Sequence, residues 1–122
     1  FAIVGCSDEV GNPSVRGDYP LRTVNGAALP YVTSSADGSR IEVLDDVFSL
    51  YTGNTFSELS HVRTTAGNGA PSIQAVLETG TYGGQGTGIT FNYNGGKVRQ
   101  SKLDNFTLLF LEAGLTRAYV KD

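Results

Sequence analysis

The chain has a single cysteine among its 122 residues, one histidine, and neither methionine nor tryptophan. A lone thiol cannot close an intramolecular disulfide, so any fold must be held by its own core. A zinc site wants three or four cysteine, histidine or carboxylate ligands, and the soft ones are almost missing. Basic residues are also scarce: 9 Lys and Arg stand against 12 Asp and Glu, a net charge of −3. A nucleic-acid binder needs a basic stripe to displace counterions from phosphates, and this balance argues against one. No apolar run is long enough to span a bilayer. A collagenous or disordered chain is excluded too. With 39% hydrophobic residues, one domain of this length buries roughly two thirds of the surface its unfolded chain exposes.

What is abundant is glycine, 16 residues, and turn signals. From Tyr19 onward short apolar or alternating runs are separated by Gly, Asn and Asp, with hardly any stretch at three- and four-residue apolar spacing. Tyr19 to Val24 predicts a first strand ending at Asn25-Gly26, a hairpin pair that accepts positive φ. Ala28 to Val32 predicts its return strand, with Pro30 at an edge or bulge, and Ser34 to Gly38 reads as a loop. Ile41 and Val43 are odd-numbered whereas Phe48 and Leu50 are even, so a tight turn or bulge is required at Asp45-Asp46 to keep both pairs on the core side. Val47 to Tyr51 and Thr55 to Thr65 form a hairpin around Thr52-Gly53-Asn54. Ile73 to Tyr82, weakened by Gly80, is followed by Ile89 to Tyr93, Lys97 to Leu103, Phe106 to Leu111 and Leu115 to Lys121. The Phe106 to Leu111 run is expected to be covered on both faces. Eight or nine short strands with tight turns predict an all-β antiparallel meander that closes into a small barrel and hides its edges.

Ahead of this domain, Ile3-Val4-Gly5-Cys6 resembles a bacterial lipobox, in which the Cys thiol receives a lipid, and Phe1 and Ala2 fit the end of an apolar signal segment. An ordinary cysteine at an apolar N-terminus is the alternative. Residues 7–18 are polar and broken by Gly and Pro, the composition of a tether. Fully extended, it would reach roughly 35 to 40 Å. Residues 1–6 thus read as the end of a signal or anchor segment, 7–18 as a flexible tether and 19–122 as the barrel domain. Whether the chain is cut before Cys6 or Phe1 to Gly5 closes an uncleaved anchor, the domain is expected on the periplasmic side of a bacterial membrane, attached to lipid through Cys6 or the N-terminal segment.

The domain also resembles the small lipocalin-like, calycin-type domains of bacterial lipoproteins. The resemblance rests on Val24-Asn25-Gly26-Ala27-Ala28-Leu29-Pro30, on Asp37-Gly38-Ser39-Arg40-Ile41-Glu42-Val43-Leu44 and on Phe48 to Glu58. Thr79-Gly80-Thr81-Tyr82, Ile89-Thr90-Phe91, and Phe106 to Leu111 with Tyr119 and Lys121 continue it, so that it covers nearly all of Tyr19 to Lys121. Tyr19 stands where that family often has an early Trp, and the Gly83 to Gly88 insert replaces a simpler turn. The motifs are turns and core positions. They imply a fold and supply no catalytic residue.

Candidate chemistry is thin. His61 has no nucleophile and acid at the spacing of a known triad. Asp45-Asp46 could hold calcium, but adjacent strand residues face opposite ways and a turn accounts for the pair. Gly84-Gln85-Gly86-Thr87-Gly88 lacks the following helix that a phosphate loop requires. Residues 1–96 carry 4 basic and 9 acidic side chains, whereas residues 97–122 carry 5 and 3. Lys97 and Arg99 therefore form a candidate contact for acidic partners or lipid phosphates, or an ordinary solvated face. No cofactor is expected. The reading these residues support is a non-catalytic, membrane-attached extrinsic module that docks on and stabilises a larger membrane protein complex, as extrinsic subunits of respiratory and photosynthetic complexes do. Its contacts would come from the loops Ala66 to Ser72 and Gly83 to Gly88 together with the tether, through His61, Asn68, Tyr82, Gly84, Tyr93, Lys97 and Arg99. The alternative is a carrier of a small apolar ligand, which would need a continuous apolar cavity inside the barrel.

Overall fold

The computed structural model describes residues 15–36, 38–85, 87–112 and 114–122. Cys6 and most of the expected tether lie outside them. The strands are β1 (Gly17–Val24), β2 (Ala27–Ala28), β3 (Tyr31–Ala36), β4 (Ser39–Leu50), β5 (Thr55–Thr65), β6 (Ser72–Gln85), β7 (Gly88–Tyr93), β8 (Val98–Asp104), β9 (Thr107–Glu112) and β10 (Leu115–Val120). From β3 to β10 each strand pairs antiparallel with the next; β10 returns to β1, and Gly17 to Pro20 of β1 pair with Leu50 to Val47 of β4. This closes an eight-stranded antiparallel barrel to which β2 and β3 are added.

The turns follow the local chemistry. Asn25 and Gly26 take φ of 52° and 82°, the mirror-image turn whose twist suits a hairpin. The return strand is shorter than expected and ends at Ala28, because Pro30 has no N–H to continue the ladder. The chain then pairs with β4 instead, and Ser34 to Ala36, expected as a loop, belong to β3. β4 is one continuous strand whose register slips between Val43 and Asp45, making Leu44 the extra residue. The bulge thus falls just before Asp45-Asp46, and it brings Val43 to the same side as Phe48 and Leu50. Gly80 serves the packing: a Cβ there would lie 2.0 Å from the Asn92 carbonyl oxygen and 2.9 Å from the Phe56 ring.

The core fills one end of the barrel. Tyr19, Phe48, Phe56, Phe91, Phe110 and Tyr119 are each 1% exposed or less, with Leu103 and Leu108 beside them. Phe48 is the hub, its ring 4.8 Å from Phe91, 5.2 Å from Phe110, 5.0 Å from Tyr119 and 5.9 Å from Phe56. Burying side chains of this size contributes about 2 to 3 kcal/mol each. Val15 is buried at the same end and accepts a hydrogen bond from the Tyr19 hydroxyl at its carbonyl. The last residues assigned to the tether, Val15 to Asp18, are therefore part of the fold. β9 departs from expectation as well: Leu108 and Phe110 face in while Leu111 is 75% exposed, so the apolar run is covered on one face only.

At the other end the barrel does not close. β6 pairs with β7 only over Gly80 to Gln85, and β8 with β9 only over Lys102 to Asp104. The far halves of β4, β5 and β6, extended by β3, project past the closed ring as a flared sheet. Among the described residues no helix is long and apolar enough to cross a membrane.

Candidate functional site

One step of two residues above the aromatic layer, the inward positions turn polar. Asp46 follows the phase of Phe48 on β4, Glu58 that of Phe56 on β5, Tyr93 that of Phe91 on β7, and Glu112 that of Phe110 on β9. Arg99 shares the inward face of β8 with Leu103, and Arg117 that of β10 with Tyr119. Strand alternation carries all six into the barrel.

Arg99 organises this layer. Its Nε lies 3.2 and 3.1 Å from the two Glu112 carboxylate oxygens, and its Nη2 lies 2.8 Å from Oε1. Its Nη1 faces both Glu58 oxygens at 3.4 Å and donates to the Tyr93 hydroxyl at 3.1 Å. That hydroxyl in turn donates to Glu58 Oε1 at 2.5 Å. The guanidinium rests on the aromatic floor, 4.2 Å above the Phe110 ring centre, where cation and ring face attract. Because the β8 and β9 ladders have parted at this height, the Arg99–Glu112 pair ties the two strands together by side chains. Arg117 adds a longer contact to Glu112, 3.7 Å.

Asp46 stands apart. Its Oδ2 accepts from the Tyr119 hydroxyl at 2.7 Å, but its buried Oδ1 has no hydrogen-bond partner among the described residues. Burial, and then the neighbouring Glu58 carboxyl, push the Asp46 carboxyl up to about 8. Burial likewise raises the Tyr93 and Tyr119 hydroxyls, reinforced by Glu58 and Asp46 respectively. Burial opposes the charge on Arg99, yet Glu112 and the other groups around it more than compensate and hold it protonated.

These groups floor a cavity of about 440 Å³ at the open end, walled by Leu21, Val43, Val62 and Val98. Lys97 sits on its rim, 3.1 Å from Glu78 and 4.2 Å above the Tyr93 ring. The C-terminal basic residues thus meet the N-terminal acids within the molecule. Among the described residues no three His, Cys, Asp or Glu side chains are grouped to hold a metal.

The expected contact residues do not share one surface. Tyr82, Tyr93 and Arg99 are 4%, 5% and 9% exposed and point into the barrel, because their phase matches Phe91 and Leu103 on the paired strands. Gly84 lies in β6 opposite Ile89, at the closed end. Asn68 is exposed in the connection between β5 and β6, at the open end. His61 is on the outer face of β5, where its Nδ1 is 2.7 Å from Asp45 Oδ1. Glu58, Glu112 and Arg117 were not singled out from sequence, and Asp46 was weighed only as a turn or calcium residue. The signal that locates them is the two-residue step from an aromatic on the same strand. No family model, curated protein or solved structure matches this chain.

Proposed function

We propose that this chain is a non-catalytic, lipocalin-like module, attached to the periplasmic side of a bacterial membrane through its N-terminal segment and Cys6, that docks on a larger membrane protein complex and stabilises it. The observation that carries this reading is the free edge of β6. Ser72 to Glu78 pair with β5 alone among the described strands, so alternate N–H and C=O groups face outward. Ile73 is 60% exposed, Val76 42% and Leu77 64%, and no charge interrupts Ser72 to Leu77. Natural edges are normally blunted by Lys, Pro or a bulge, and a long bare one is a template for an added strand.

The surroundings support the same reading. Leu59 continues the apolar row across β5 opposite Leu77, and a groove of about 540 Å³ lined by Tyr51, Ser57, Leu77 and Thr79 runs beside it. His61 lies on β5 opposite Ala75 of β6, and Asn68 lies in the connection that joins these two strands. A stable interface would bury on the order of 1,200 to 2,000 Å² in total. The test is purification from native membranes in mild detergent. The expected result is co-migration with a membrane complex that is lost with Leu77→Lys. A protein that comes off alone in both forms overturns the docking reading.

The carrier reading takes a different shape from the one the sequence implied. The aromatic layer fills the barrel where a wholly apolar ligand would sit, and the space that remains has a charged floor.

A further inference from the structure

We infer that the cavity at the open end is a binding site for a small amphipathic amine, its ammonium group seated at the paired Asp46 and Glu58 carboxyls and its aliphatic body against Leu21, Val43, Val62 and Val98. The inference stands apart from the docking reading and survives its failure.

Among the buried side-chain atoms of this floor, Asp46 Oδ1 alone lacks a hydrogen-bond partner among the described residues. Arg99 is saturated by Glu112, Glu58 and Tyr93, and Glu58 Oε1 is taken by Tyr93. Asp46 is 8% exposed, lines the cavity and accepts from Tyr119 at Oδ2; its proton is shared with the Glu58 carboxyl, and once that proton leaves, Oδ1 has no donor among the described residues. A buried acceptor without a donor costs free energy that a ligand N–H would recover. Charge points the same way. Asp46, Glu58 and Glu112 share this layer with Arg99 and Arg117, so one acid exceeds the bases when all are ionised; the proton on Asp46 makes up the difference, and one cation from outside can take its place. Lys97, at the rim, is engaged by Glu78 and the Tyr93 ring. A divalent metal is not the cation that fits, since the three acids are not gathered around a common point. An anion would meet the unpartnered carboxyl. The apolar wall above the floor selects a head group with an alkyl body.

The chemistry predicts its own signature. Asp46 interacts with Glu58 from β5, Arg99 from β8 and Tyr119 from β10, and shares its layer with Tyr93 from β7, Glu112 from β9 and Arg117 from β10. In this setting it holds a proton up to about pH 8. Seating an ammonium ion breaks the Asp46 O–H bond, leaves the electron pair on the carboxylate and sends the proton to solvent.

The experiment is calorimetric titration of the full chain at pH 6.5 with hexylamine, hexanol and hexanoate, each in two buffers of different ionisation enthalpy. Hexylamine is expected to bind with a dissociation constant in roughly the millimolar range or tighter and at least about tenfold better than hexanol. It should release close to one proton. In Asp46→Asn, which keeps an acceptor for Tyr119, the advantage over hexanol and the proton release should both vanish while the circular dichroism spectrum is retained. Equal binding of hexanol, a preference for hexanoate, no binding of hexylamine, or amine binding without proton release each overturns the inference. The proton count is read on the wild-type chain and needs no variant to fold.

Discussion

The closed and open ends of this barrel are carried by the same strands and differ after a step of two residues. Phe48 gives way to Asp46, Phe56 to Glu58, Phe110 to Glu112 and Tyr119 to Arg117. Below the step, rings at centroid distances of 4.8 to 5.9 Å around Phe48 fill the interior. Above it, charged groups replace them, the β8 and β9 ladders part, and β4 to β6 flare. The difference teaches where stability and recognition are separated. Packing needs no partner beyond the chain itself, whereas a polar layer leaves a carboxylate atom and a strand edge to be met from outside.

The comparison breaks most severely at its lower side. Phe48→Ala should cost about 3 to 5 kcal/mol, the range for emptying an aromatic site that cannot collapse, read as a lower midpoint in urea unfolding with the slope unchanged. A loss under about 1 kcal/mol would mean that the aromatic layer is not the main support of the fold. Next in size is Arg99→Met. It leaves Glu58 and Glu112 facing each other without the guanidinium and should cost about 3 kcal/mol. Adding Glu58→Gln and Glu112→Gln should recover most of that loss, because the penalty lies in uncompensated charge and not in lost volume.

Much of the lower end was legible in the sequence, and little of the upper. Alternation and turn residues announced an antiparallel barrel, the Asn25-Gly26 hairpin, and the phase break near Asp45, since each of these is a local property of the chain. Pro30, expected at an edge or bulge, lies between β2 and β3, because the chain after it takes its ladder from β4 and leaves β1, an exchange of partner that no local residue signals. The polar layer was missed for another reason. A charged residue in a strand is ordinarily assigned to solvent, yet Glu58 keeps phase with Phe56, and Asp46 with Phe48. Their burial becomes tolerable only through Arg99, which arrives from β8. Tyr82 and Tyr93 erred in the opposite direction, as contact residues that instead belong to the interior.

The pH dependence of stability sharpens the upper side. Asp46 binds its proton more tightly in the folded chain than at its ordinary value near 3.8, its folded value lying at about 8. The folded state therefore holds more protons across that window, and stability should fall as pH rises from about 4 through about 8, then level off. The loss should be at least about 2 kcal/mol. Asp46→Asn should flatten this slope and be more stable than the wild type at pH 8.5, as measured by urea midpoints across pH. An unchanged slope in the variant would remove Asp46 as the titrating group.

The smallest effect on stability is expected at the flared edge, and there it is informative because it is small. Ile73 and Leu77 are 60% and 64% exposed and lie on a strand segment paired on one side only. Little apolar surface is lost to the fold if either becomes lysine, so Ile73→Lys or Leu77→Lys should change the unfolding free energy by no more than about 0.5 kcal/mol. A lysine there still puts charge beside the outward N–H and C=O groups, the device by which natural sheets repel an added strand. In purified protein at high concentration, light scattering should therefore show less self-association for both variants than for the wild type, with the same circular dichroism spectrum. Substitution of Ile41, 37% exposed but paired on both sides, with β3 and with β5, provides the control. If Ile41→Lys reduces association as much as Leu77→Lys does, exposed apolar area and not the open edge is what other chains recognise.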